Sequence, residues 1–151
     1  MPDTLQYVAD RIALMDVMLQ YAKGVDERDL NLYRSVFADD VEVVGFGPDI
    51  FYGADAWRVY VEKALSRYGA TQHMLGPQLA TVDGDTAHCR TDVQALHYMK
   101  DEPATTLTLW ATYVTDMKRI DGRWKIKRHE LISRGTRIQS GCFDGFGDTV
   151  R

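Results

Sequence analysis

The sequence predicts an α+β fold in which a curved, mainly antiparallel sheet wraps over helices near the N-terminus. Three observations carry this. Apolar residues recur at helical spacing through the first 23 positions, two Asp-Gly pairs separate long alternating runs in the second half, and no Pro/Ser-rich linker, repeat or low-complexity segment interrupts the chain. A length of 151 residues, with 45% hydrophobic and 26% charged residues, fits one globular core. The expected organisation is a single domain over 1–138 followed by a C-terminal tail, 139–151, rich in glycine and carrying Phe143 and Phe146.

Leu5, Val8, Ile12, Met15 and Leu19 alternate spacings of three and four, which predicts an amphipathic helix over 4–23 with Asp3 or Thr4 as N-cap. Gly24 is expected at the left-handed C-cap position, so that VDERD turns the chain into a short helix over 29–37 carrying Leu30, Tyr33, Val36 and Phe37. Asp39 and Asp40 are expected to end that helix. VEVVGF, from Val41, reads as a short strand, and GPDIFYG as a turn into a second. Gly53 then stops the strand, and Trp57, Tyr60, Val61, Ala64 and Leu65 predict a helix over 54–68. Strands are expected over 71–82, 86–99, 105–118 and 123–138, joined by Asp83-Gly84, the KDEPAT loop and Asp121-Gly122.

Composition narrows the function. A net charge of −4 and a pI near 5.5 argue against a nucleic-acid partner. No apolar run reaches the roughly 18 residues of a membrane span, and the N-terminus lacks the basic start and apolar core of a secretory signal, so a cytoplasmic protein is expected. Cys89 and Cys142 have no CxxC partner and read as packed thiols. His73, His88, His97 and His129 show neither HxH nor HExxH spacing, so no metal and no cofactor are expected. His129, after KIKR, reads as a solvated strand residue, and Lys125 and Lys127 as an exposed strand face.

Two histidines share the parity of apolar neighbours. His97 alternates in step with Cys89, Val93 and Ala95, and His73 with Leu75 and Leu79, so both are expected to face the interior. A break at Gly24 would let Asp26 fold back near Tyr21 at the mouth of the same pocket. A carboxylate that accepts from one imidazole nitrogen fixes the tautomer and raises the basicity of the other, giving a general base near neutral pH. Spacing alone leaves the ordinary readings open: Asp26 as a turn residue, Tyr21 as a core aromatic, both histidines as satisfied interior side chains.

The stretches YAKGVDERDL, FADDVEV, TQHML and TLWATYVTDMKRIDGRWKIKRHELISR resemble the SnoaL-like branch of the NTF2-like superfamily, over about residues 5 to 138. Within it the similarity is to the small dehydratases and dehydrohalogenases: scytalone dehydratase, bile-acid 7α-dehydratase and hexachlorocyclohexane dehydrochlorinase. The resemblance implies an α+β cone enclosing a deep apolar pocket, with Tyr21, Asp26 and His73 at catalytic positions and His97 and Arg134 as further polar groups toward the substrate. It implies a cofactor-free elimination in which His73, oriented by Asp26, removes a proton while Tyr21 donates to the developing charge. Trp57, Leu75, Leu109 and Tyr113, with Phe46 and Trp110, are expected to line a site for a small apolar cyclic, aromatic or steroid-like substrate. The same parts suit an isomerase or a polyketide-cyclase-like enzyme, and the same cone serves non-catalytic binding or assembly modules such as dioxygenase small subunits. Homo-oligomers, dimers or trimers, are expected by resemblance, with Thr108, Trp110, Thr112 and Val114 on a broad sheet face, and the phenylalanine-bearing tail is expected as a lid.

Overall fold

The computed structural model describes residues 4–141; the expected lid, with Cys142, Phe143 and Phe146, lies outside the described residues. The elements run α1 (Thr4–Asp26), α2 (Leu30–Ser35), β1 (Phe37–Val44), β2 (Phe51–Tyr52), α3 (Ala54–Leu65), β3 (Tyr68–Leu75), β4 (Leu79–Asp83), β5 (Thr86–Met99), β6 (Thr105–Ile120) and β7 (Arg123–Ser140). One sheet has the order β2-β1-β7-β6-β5-β3, with β4 also paired to β5. β1 runs parallel to β7, and the other pairs are antiparallel. At the tip of the β6–β7 hairpin Asp121 and Gly122 both take positive φ, 50° and 76°, the backbone a two-residue turn needs to match strand twist. The helices cover the inner face of this open curved sheet. Leu14, Met18, Tyr33, Phe37, Trp57, Met117 and Ile126 fill the space between the layers.

The first helix buries a different face from the one its spacing suggests. Leu5, Val8, Ile12 and Leu19 are exposed, and Leu14, Val17, Met18, Tyr21 and Val25 are the buried stripe. Both sets have helical period, so the helix is apolar nearly all round, and periodicity alone does not choose between them. The helix also runs unbroken through Gly24. A Cβ there would sit 2.7 Å from the Tyr33 amide nitrogen, so the glycine allows α1 and α2 to touch rather than capping α1. The left-handed position falls four residues later, at Arg28, with φ 59°. Asp29 then caps α2, its carboxylate accepting from the Leu32 amide at 2.9 Å.

Asp39 and Asp40 lie within β1, not at a helix end, where Asp39 pairs with Arg34 at 2.7 Å and Asp40 with Lys127. The single strand expected over 71–82 is two, divided at Gly76, Pro77 and Gln78. The division shifts the phase, so Leu79 is 65% exposed instead of facing inward with His73. β7 shifts phase twice. Ile126 pairs with Met117 and Arg128 with Asp116, leaving Lys127 as an extra residue; Ser133 pairs with Ala111 and Gly135 with Trp110, leaving Arg134 as another. Trp124 and Ile126 point inward before the first bulge, His129 and Leu131 after it, and Thr136 after the second. No helix among the described residues is long and apolar enough to cross a membrane.

Candidate active site

The last turn of α1 points at β3, which is the edge of the sheet on that side. An edge strand leaves backbone donors without a neighbouring strand, and the carboxylate of Asp26 satisfies one of them. Its Oδ2 accepts from the His73 amide at 2.8 Å, and its Oδ1 accepts from Thr71 Oγ1 at 3.0 Å. The same Oδ1 lies 2.8 Å from His73 Nδ1. Burial raises the cost of charge on Asp26, but the bonds from the His73 ring and amide, the charge on that ring and the Thr71 hydroxyl outweigh it and hold the carboxyl below its usual range. An ionised carboxylate facing Nδ1 accepts a hydrogen bond from the proton that nitrogen carries and so fixes the tautomer, with Nε2 as the nitrogen left to take up a proton.

His73 lines a cavity of about 230 Å³ between the helices and the inner face of the sheet. Tyr21, Phe46, Trp57, His97, Leu109 and Tyr113 line it. Leu75 is half-buried against the core and Trp110 is partly exposed, and neither reaches the cavity. Arg134 does not reach it either. Its Nε donates to Thr112 Oγ1 at 3.2 Å, and Thr112 in turn donates to Asp92, on the outer face of the sheet. The first bulge in β7 reverses the parity on which an inward Arg134 depends.

The same reversal turns His129 inward. Expected to be solvated, it is fully buried, ringed by Tyr21, Phe46 and Tyr113 with centroids at 5.1, 5.5 and 4.8 Å. Its Nε2 lies 3.2 Å from the Tyr21 hydroxyl, and its Nδ1 has no partner among the described residues. Burial pushes its pKa down to about 3, so the ring is neutral. Tyr33, read from the sequence only as a residue of the short helix, is also on the cavity wall. Trp57 Nε1 donates to its hydroxyl at 2.9 Å, and the rings of Tyr33 and Tyr113 pack on that of Tyr21 with centroids at 4.8 and 5.3 Å. Three tyrosines thus cluster in one buried place, and burial raises the pKa of each well above the ordinary tyrosine value. Each stays a neutral donor.

His97 stands beside the dyad, its ring centroid 5.6 Å from that of His73. Burial first, and the His73 charge second, lower its pKa to about 4, and its Nδ1 donates to the Leu107 carbonyl at 3.3 Å. It therefore faces the cavity as a neutral hydrogen-bonding ring. Among the described residues no three His, Cys, Asp or Glu side chains converge as a metal site. The cavity thus combines one base with a fixed tautomer, a set of neutral donors and apolar walls, which is equipment for moving a proton on an apolar molecule.

Solved structures with the same architecture include a candidate scytalone dehydratase from Novosphingobium aromaticivorans, 23% identical over 97% of this chain and 100% of its own, with a TM-score of 0.82. A hexachlorocyclohexane dehydrochlorinase of LinA type 2 is 22% identical over 97% of this chain and 99% of its own, with a TM-score of 0.86. A candidate aromatic ring hydroxylase from Novosphingobium aromaticivorans is 25% identical over 88% and 94%, with a TM-score of 0.79. At the identities of the first two the likeness establishes the NTF2-like fold. No curated protein matches the chain in sequence. Residues 6–130, which carry Tyr21, Asp26, His73, His97 and His129, match the SnoaL-like domain throughout, and the chain belongs to that family.

Proposed function

We propose that the protein is a cofactor-independent lyase that catalyses a dehydratase-like elimination on a small apolar cyclic substrate. The observation that carries this reading is the 2.8 Å contact between Asp26 and His73 Nδ1 on a histidine that lines an apolar cavity. His73 Nε2 removes the proton from a carbon next to a carbonyl. The C–H electron pair forms the new double bond as hydroxide leaves the adjacent carbon, and the imidazolium returns its proton to the departing oxygen as water. Hydroxyls of the Tyr21, Tyr33 and Tyr113 cluster donate to the carbonyl oxygen as charge develops on it. The dehydratase and dehydrochlorinase descriptions of structures with this fold support an elimination over other chemistry of the same parts.

Enolisation is common to elimination, isomerisation and aldol-type cyclisation, so it is tested first. Exchange of the α-protons of 2-tetralone in deuterated water, followed by NMR, is expected to be accelerated by the protein. His73→Ala and Asp26→Asn should each lower that acceleration by about 10²–10⁴-fold, the usual contribution of a positioned acid or base. Equal exchange with the protein and in buffer, or full activity in His73→Ala, overturns the enzyme reading in favour of a binding or assembly module. Enone absorbance from cyclic β-hydroxyketones then separates elimination from isomerisation.

A further inference from the structure

The cavity has a charged exit. Arg67 is the one lysine or arginine among its lining residues, and it lies at the mouth, exposed, on the turn between α3 and β3. Beside the mouth is a second hollow of about 320 Å³, and Leu65 and Tyr68 belong to the walls of both. Lys100 lines this outer hollow, and its amide donates to the Arg67 carbonyl at 3.1 Å, which ties the two cationic residues to one place at the sheet edge. Among the described residues neither side chain has a carboxylate partner: Arg67 Nε makes a 3.4 Å contact with the Ala64 carbonyl, and its guanidinium lies over the Tyr68 ring at 5.4 Å. Arg28 also lines the hollow, but its Nη1 and Nη2 donate to Val25 O, Thr71 Oγ1 and Gly69 O. Glu62 is the one acid on that wall.

A path of rings joins this exit to the dyad. His73 meets His97 at 5.6 Å, His97 meets Tyr68 at 4.7 Å, and the Arg67 guanidinium lies over the Tyr68 ring at 5.4 Å. A molecule with a ring system against His97 and Tyr68 therefore has an unpaired guanidinium and an unpaired ammonium where it emerges. We propose that Arg67 and Lys100 form an anion-binding mouth, and that the substrate is amphiphilic, an apolar ring held in the cavity with a carboxylate or phosphate outside it. Arg67 suits such a group because its planar donors match paired oxygens, while Lys100 adds a point charge. The proposal rests on the cavity being a substrate site, but not on which reaction occurs there.

The test is binding, followed by fluorescence, of four naphthalene probes of the same ring: 2-naphthylmethanol, 2-naphthamide, 2-naphthylacetate and 2-naphthyl phosphate. Two screened cations acting on one anion are worth on the order of tenfold in affinity at low salt, and that gain should shrink as salt is raised. Whichever anionic probe gains identifies the headgroup. Arg67→Met with Lys100→Met, both exposed positions, should abolish the preference, bringing the ratio of anionic to neutral affinity to about one. Asp26→Asn should retain it, so loss of proton exchange with the preference intact counts against the lyase reading alone. Equal affinity for charged and neutral probes, an unchanged preference in the double variant, or no binding of any probe overturns the anion mouth.

Discussion

Acid should unfold this protein through its histidines before its carboxylates. His129 is fully buried and neutral with a pKa near 3, against 6.5 for the unfolded chain. A histidine whose folded pKa is depressed contributes stability that is complete above the unfolded value and is lost as pH falls from about 6.5 toward the folded value. At about 1.4 kcal/mol per pH unit the gap is worth roughly 5 kcal/mol for His129, a large part of the 5–15 kcal/mol that holds a typical domain. His97, 8% exposed with a pKa near 4, loses stability in the same direction over a shorter range. Between pH 7 and 5 the two together should remove about 4 kcal/mol. Asp10 and Asp26, whose folded pKa values are lowered, add their own loss only as pH approaches and passes below the ordinary 3.8. Urea unfolding at half-unit steps from pH 7.5 to 4.5 measures this directly. His129→Phe, which keeps a ring among Tyr21, Phe46 and Tyr113, should roughly halve the slope. A wild-type stability that changes by less than about 1 kcal/mol between pH 7 and 5 would refute the reasoning.

Three further outcomes follow from the packing. Gly24→Ala drives a methyl into the Tyr33 backbone at 2.7 Å and should cost about 1–3 kcal/mol in urea unfolding, whereas a glycine kept as a helix cap would show strain without a clash at α2. Leu14→Ala should lose about 2–5 kcal/mol, while Ile12→Ala, 60% exposed on the opposite stripe, should stay within about 0.5 kcal/mol. Arg134→Gln should leave 2-tetralone exchange within about twofold of wild type, since the side chain lies outside the cavity and bonds to Thr112; a large loss would place it at the site.

What could be read in the sequence was whatever depended on local chemistry. Asp-Gly turns fixed the hairpins, and the strand over 86–99 alternates without interruption, so His97 could be oriented by counting from Cys89. Tyr21, Asp26 and His73 were singled out through the family resemblance, since spacing left their ordinary readings open, and the helix that carries the first two is continuous where a break was expected. Counting failed where the count itself changes. Nothing in KIKRHELISRG announces that Lys127 and Arg134 stand out of register, and so His129 and Arg134 exchange the sides assigned to them. The first helix failed for a different reason, because its two apolar stripes differ in what packs on them and not in composition. Arg67 carries no motif; its position depends on β3 turning back beside the end of β5.

The paired bulges in β7 make residues 128 to 133 a short cassette running out of phase with the strand on either side. Its facing is set by one inserted residue at each end and not by the identity of the residues within it. Deleting Lys127 would close the first bulge and leave Arg128 opposite Asp116 and His129 opposite Thr115, so His129 would keep its place beside Tyr21 and Tyr113; pairing Lys127 with Asp116 instead would slide the strand by one residue and turn Arg128 and Glu130, now an outward ion pair at 2.8 Å, toward those rings. In this strand a one-residue slip of register, not the loss of the bulged residue, is the route by which the back wall of the cavity changes from aromatic and neutral to charged. A comparison of such chains that aligns residues without placing the bulges would pair inward groups with outward ones.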